Sequence, residues 1–263
     1  MKNLIYTFFA ILVLTGCENE EISKSSGTKL DYYIESYDLT GLGFTPQLKV
    51  TYQYNADKLS RYTVSSYNPD VQSLVELHYF DFSYVDGKVD KIKGYLPNAS
   101  SHYVEYSYQY LPDSRVLRIT ENNSNTGINS EANFTYNDAD ESAKVTYTFS
   151  NGGSFEYEFF YLSDNILSDK TTRGEQLCSD GTYTYDQHYN PFKDLGYVDY
   201  LLNNLSANNK LTEDVNYVNC AFPSIVAESY SYEYNDKGYP TVATTFYKSG
   251  GNVAKSEKKF FYR

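Results

Sequence analysis

The chain has no tryptophan, one methionine, three cysteines and three histidines in 263 residues. Basic residues are also scarce, with 22 Lys and Arg against 34 Asp and Glu. Nucleic-acid binding needs a basic patch to displace phosphate counterions, and none is written here. A polybasic segment for a membrane surface is missing as well. His78, His102 and His188 are too few and too scattered to define a site. His188, in "DQHYN", reads as a solvated turn residue, and His78, in "VELHYF", as an outward-facing strand residue. There is no His-Glu-x-x-His zinc motif, no Cys-x-x-Cys, no nucleophile elbow and no phosphate loop. "NDADE", residues 137–141, lacks the Gly turn and the distant Glu of an EF-hand and reads as a solvated turn. Carboxylates are abundant, but a glycosidase needs two at a set separation, which spacing in sequence does not establish. No catalytic residue, metal or cofactor is therefore expected.

Long apolar runs are missing too, apart from residues 4–14 behind Lys2. That run falls short of the roughly 20 residues of a spanning helix and fits the core of a signal peptide. It ends in "LTGC", which resembles a bacterial lipobox. The resemblance implies removal of residues 1–16 and acylation of Cys17 with a fatty acid such as palmitate. The acidic "ENEE" that follows resembles the surface-export signal of lipoproteins from Bacteroides and its relatives. An outer-membrane lipid anchor is thus expected, at the cell surface or on the periplasmic face. Residues 17–29 read as the acylated start and a flexible tether. Cleavage removes Lys2 and no acid, so 22 − 1 = 21 basic residues face 34 acidic ones, a balance of −13.

What the sequence has in plenty is tyrosine, 31 residues, beside 15 phenylalanines. They recur in a phrase of two alternate aromatics followed by a polar turn. Examples are Tyr52/Tyr54, Phe82/Tyr84, Tyr108/Tyr110, Phe134/Tyr136, Phe159/Tyr161, Tyr183/Tyr185 and Tyr232/Tyr234. The second aromatics step by 30, 26, 26, 25, 24 and 49 residues. The last step leaves room for a degraded eighth unit, and Phe260/Tyr262 would be half of a ninth. Alternate residues share one face of a strand, and Asn, Asp, Gly or Pro turns the chain. About 25 residues holds two strands and two turns. The expectation is all-β: a Tyr-rich antiparallel meander of repeated hairpins over residues 30–263. Its strand twist would curl it toward a partial barrel.

"YEYNDKGYPTV" and "FSYVDGKVDKI" resemble the YD repeat of bacterial surface proteins. With the lipobox, the whole chain is similar to an uncharacterised family of Bacteroides-type lipoproteins with a porin-like fold. That resemblance implies a fold and a location, and no residue roles.

One segment breaks the pattern. In residues 191–210, Asp194 can cap a helix, and Val198, Leu201, Leu202 and Leu205 share one helical face. The spacing predicts a short helix that packs on the sheet or plugs its open end. Cys178 and Cys220 are the thiols left after lipidation, and an oxidising setting favours a disulfide between them.

Functionally, the expectation is a non-catalytic envelope module that binds an extracellular glycan or protein. Tyr rings stack on sugar faces, although cross-strand packing claims most of these rings. A purely structural envelope protein is the alternative, with an enzyme acting on polysaccharide behind it. A transmembrane barrel also alternates in polarity, and the closing "FFYR" resembles the end of one. Its lipid-facing band would have to be Tyr-heavy, against the usual confinement of Tyr to the interfaces.

Overall fold

The computed structural model describes residues 28–38, 43–202, 204–218, 226–249 and 252–263. Cys17, the signal peptide and Cys220 lie outside the described residues. Sixteen strands follow one another along the chain. The first six are β1 (Leu30–Asp38), β2 (Thr45–Asn55), β3 (Lys58–Asn68), β4 (Ser73–Val85), β5 (Lys88–Tyr95) and β6 (Val104–Tyr110). Next come β7 (Val116–Asn123), β8 (Ser130–Asn137), β9 (Ser142–Phe149), β10 (Ser154–Leu162), β11 (Asn165–Arg173) and β12 (Gln176–Tyr189). The last four are β13 (Asn208–Tyr217), β14 (Val226–Tyr234), β15 (Pro240–Ser249) and β16 (Asn252–Tyr262). Each strand pairs antiparallel with its sequence neighbours, and β16 pairs with β1.

The sheet is therefore a closed sixteen-stranded barrel, where the sequence led us to expect a partial one. Closure joins strands at opposite ends of the domain. Leu30 lies beside Tyr262 and Tyr33 beside Phe260. It removes both sheet edges, which would otherwise expose unpaired backbone groups.

The unit count also changes. Each two-aromatic phrase sits near the end of an even-numbered strand, from Tyr54 in β2 to Tyr262 in β16. Eight units make sixteen strands. The double step holds no degraded unit: it is one hairpin pair, β13 and β14, lengthened by the segment before β13. Phe260 and Tyr262 complete the eighth unit rather than begin a ninth.

What the repeated Tyr does is visible in the register. The β3–β4 ladder stops at Arg61/Asp81, and Tyr84, three residues on, donates its hydroxyl to the carbonyl of Leu59 at 2.8 Å, two residues back. The same offset places Tyr110 on Val89 at 2.9 Å and Tyr136 on Val116 at 2.8 Å. It recurs for Tyr54 on Leu30, Tyr232 on Lys210 and Tyr262 on Pro240. These hydroxyls bridge strand pairs where they splay apart at one end of the barrel. The opposite partners of those strands are held by tight turns, such as Asp86-Gly87, both with positive φ as a two-residue hairpin requires.

Along the strands, Phe80, Val104, Ile119, Phe134, Val145 and Phe159 point inward and are buried in one cluster. Val50, Tyr52, Leu59, Ala243 and Phe260 form a second. The alternate residues carry charge on the outer wall. Arg61 holds Asp81 through two bonds of 2.5 and 2.8 Å. Glu105 lies 2.7 Å from Lys91 and 3.3 Å from Lys93. Arg118–Glu131 and Lys144–Glu156 continue the series at 3.5 and 3.1 Å.

The segment between β12 and β13 is not a helix. Its described residues have one 3-10 turn, Lys193–Leu195, ended by Gly196 in the left-handed region. Polar side chains take the backbone bonds a helix would need. Asn204 accepts from Asp199 N at 2.9 Å and donates to Tyr197 O at 2.7 Å, while Asp199 accepts from Leu201 N at 3.0 Å. The expected apolar face is accordingly broken: Leu202 is 7% exposed and Leu201 70%. The segment does plug the barrel. Phe192 packs edge-on against Tyr33 at 5.6 Å, and Tyr197 against Phe82 at 5.1 Å.

Candidate binding site in the barrel lumen

The plug divides the lumen into two chambers. The larger, of about 700 Å³, is walled by β10–β16 and, across the closing pair, by β1–β3. The smaller, of about 580 Å³, is walled by β3–β7, β9 and β10. Tyr62, Tyr197, Asp199 and Leu201 border both.

Inward polar residues from β11 onward, with Glu35 of β1, surround the larger chamber. On β11, Asp169 is buried and accepts the hydroxyls of Tyr157 and Tyr183 on one oxygen, each at 2.6 Å. Burial and that carboxylate push both phenols well above their ordinary range. Gly181 makes the arrangement feasible. Any Cβ there would lie 2.8 Å from Asp169 Oδ1 and from the Tyr183 hydroxyl.

Beside them, Lys210 bonds Glu213 at 2.8 Å and sits 4.4 Å over the Tyr183 ring. Tyr230 donates to the same Glu213 oxygen at 3.0 Å. On the closing strands, Lys258 Nζ lies 3.7 Å from buried Glu35. Asn190, Asn204, Asn208 and Asn209 add amide groups from the plug and its flanks. This is a concave surface of aromatic rings with a few fixed charges and amides, the usual make-up of a small-molecule pocket.

The plug is seated by a gap in the tyrosine ring. At β11–β12, the offset seen elsewhere would put Tyr185 on Ile166. Ser206 stands between them instead, accepting from Ile166 N at 3.2 Å and donating to the Tyr185 hydroxyl at 3.0 Å. Farther in, Tyr108 donates to Val198 O and Tyr147 to Tyr200 O, both at 2.8 Å.

The histidines do not gather. His78 faces the lumen, edge-on to Phe80 at 5.3 Å, and not outward as its strand position suggested. His102 lies on the outer wall, 3.7 Å from Glu105. His188 is stacked on Tyr234 at 3.9 Å, partly buried, and is no solvated turn residue. "NDADE" forms the β8–β9 turn, with Asn137 bonded to Asp140 at 2.8 Å. Among the described residues no His, Cys, Asp and Glu group is arranged to hold a metal. Cys178 is buried on β12, and Val218 N donates to its carbonyl at 2.9 Å, so the chain just before Cys220 runs beside it. Lys210, Glu213, Asp169 and Gly181 carry no sequence signal beyond being polar or small at inward positions. Register parity with Tyr183 would have found Gly181, but Lys210 and Glu213 lie three residues apart on β13, and both face inward only because the register shifts between them.

The fold and lumen define a class: a closed, plugged up-and-down barrel with an apolar, aromatic interior and a charged outer wall. A porin-like protein from Bacteroides uniformis has the same architecture, with a TM-score of 0.58 at 13% identity over 89% of this chain and 98% of its own. A porin-like protein from Bacteroides vulgatus aligns at 11% identity over 90% of this chain and 99% of its own, with a TM-score of 0.47. No family model and no curated protein matches the sequence. At such identities the first likeness establishes the fold.

Proposed function

We propose that this chain is a non-catalytic binding protein of the bacterial envelope, held by a lipid on Cys17, that takes a short saccharide into the larger chamber. The observation that carries this reading is the chamber itself: tyrosine rings with Asp199, Lys210 and Lys258 among them, and Asp169 and Glu213 behind, bonded to lining tyrosines. Rings stack on sugar faces, and the charges and amides supply hydroxyl partners. The outer wall supports the reading less well: its rings, such as Tyr79 with Tyr95 and Tyr32 with Phe261, stack on each other among charged side chains, while most of the Tyr columns face inward.

A glycan array on the mature chain, followed by calorimetric titration of any hit, tests the proposal. Binding that Lys210→Met and Glu213→Gln weaken is the expected result. Turnover of a polysaccharide, or no saccharide bound by a folded protein, removes it in favour of an enzyme or a purely structural role.

A further inference from the structure

We infer that the smaller chamber is a separate site, an acidic aromatic cage for an organic ammonium group. Its walls present the rings of Tyr62, Tyr106, Tyr108, Tyr147, Phe155 and Tyr200 around about 580 Å³. Two carboxylates, Glu121 and Asp199, complete the lining, and no Lys or Arg stands among the described lining residues. The larger chamber has both signs of charge. This one has a single sign.

The rings offer faces rather than hydroxyls. Tyr108 and Tyr147 spend theirs on plug carbonyls at 2.8 Å. Tyr200 is paired with Ser130 at 2.7 Å, and Ser130 donates its one proton to Glu121 at 2.7 Å. Tyr200 is therefore the donor to Ser130. Glu121 also accepts from Asn123 at 3.2 Å. Both of these donors are neutral, so they orient the carboxylate without cancelling its charge. A sugar would find few free hydroxyl partners here.

The rings are set at angles that enclose a space. Tyr200 lies 5.5 Å from Tyr106, tilted by 40°, and 5.5 Å from Tyr147, at 84°. Tyr147 stacks on Phe155 at 4.5 Å. Ring faces carry negative potential, and a cation held among several of them beside a carboxylate is attracted by both. Burial and the nearby Glu121 and Asp199 hold the Tyr106 phenol well above its ordinary range, so the ring stays neutral and its hydroxyl protonated. The chain's formal charge of −12 favours approach of a cation.

Choline chloride is the probe, with 3,3-dimethylbutanol as its neutral isostere, each titrated calorimetrically into the mature chain. Choline is expected to bind at least about tenfold more tightly than the alcohol. Glu121→Gln and Asp199→Asn should each weaken choline by about tenfold and leave the alcohol unchanged. Circular dichroism checks that each variant is folded. Equal binding of the two probes, or binding of neither, overturns the cage, and so does a folded Glu121→Gln with unaltered choline affinity. If Glu121→Gln does not fold, the ratio of the two probes on the unaltered chain and the Asp199→Asn result decide. Asp199 borders both chambers, but Glu121 borders only the smaller one and Lys210 only the larger, so either site can fail alone.

Discussion

At the residue scale, the second tyrosine of five repeats, Tyr54, Tyr84, Tyr110, Tyr136 and Tyr262, and the first of another, Tyr232, is a fastener more than a binding group. Its ring fills the wall, and its hydroxyl reaches a carbonyl on the strand that the ladder has stopped bonding. Tyr84→Phe keeps the ring and leaves the Leu59 carbonyl without that donor. The expected cost is about 1 kcal/mol, read by urea denaturation. No change in midpoint would show that water replaces the phenol at no cost.

The same phenols make the protein sensitive to alkali. Burial pushes Tyr84 and Tyr110 up to about 12, and Tyr54 and Tyr136, buried near Arg263 and Arg115 respectively, also to about 12. The unfolded value is about 10. A raised folded value means that folding favours the neutral phenol. That stability is fully present below pH 10 and is lost as pH rises through 12. Thermal melts from pH 8 to 12, followed with tyrosinate absorbance, should show melting temperature falling as the phenols ionise. A flat profile to pH 12 would contradict it.

At the element scale, the plug decides whether the barrel has a core. Sixteen strands enclose more space than wall side chains fill, and the plug supplies Phe192, Leu195, Tyr197 and Leu202 to both clusters. Leu195 is 6% exposed, so Leu195→Ala should cost about 2–3 kcal/mol in urea denaturation. A change below 0.5 kcal/mol, roughly the level of a surface substitution, would mean the barrel holds itself without the plug. The expected Cys178–Cys220 bridge would tie β12 to the chain beyond β13, around this plug. Non-reducing peptide mapping of the exported protein should find the two cysteines linked, and reduction should cost roughly 3–4 kcal/mol. Free thiols at both positions would refute the pairing.

For the whole molecule, the polarity of the wall outweighs the architecture. A membrane barrel puts apolar residues outward, and a charged group at mid-bilayer costs about 2–4 kcal/mol. Here Arg61, Lys91, Lys93, Arg118 and Lys144 lie along the outer wall from β3 to β9, each paired with an acid. Such exposed pairs add little stability, but they are incompatible with a hydrocarbon surround. The mature Cys17→Ala chain is expected to be monodisperse in buffer without detergent, to take up no labelled palmitate and to give no conductance in planar bilayers. Insertion into lipid vesicles, or undiminished palmitate labelling, would count against the reading.

The sequence by itself determined the strand class, the two-residue alternation and the hairpin unit, because each depends on contacts within about 25 residues. Tyr52/Tyr54 and "YVDGKV" encode face and turn locally, and residues 191–210 are visibly foreign to that pattern. Closure was not legible. It depends on accumulated twist and tilt bringing Leu30 beside Tyr262, a pairing between residues at opposite ends of the domain. The helix expectation failed because Asp199 and Asn204 bond the backbone locally, and apolar spacing does not report such competition. The candidate chambers were hidden for the same reason as closure. Asp169, Lys210 and Glu121 become lumenal only when sixteen strands share one register and the plug turns inward, so their neighbours are set by tertiary structure alone.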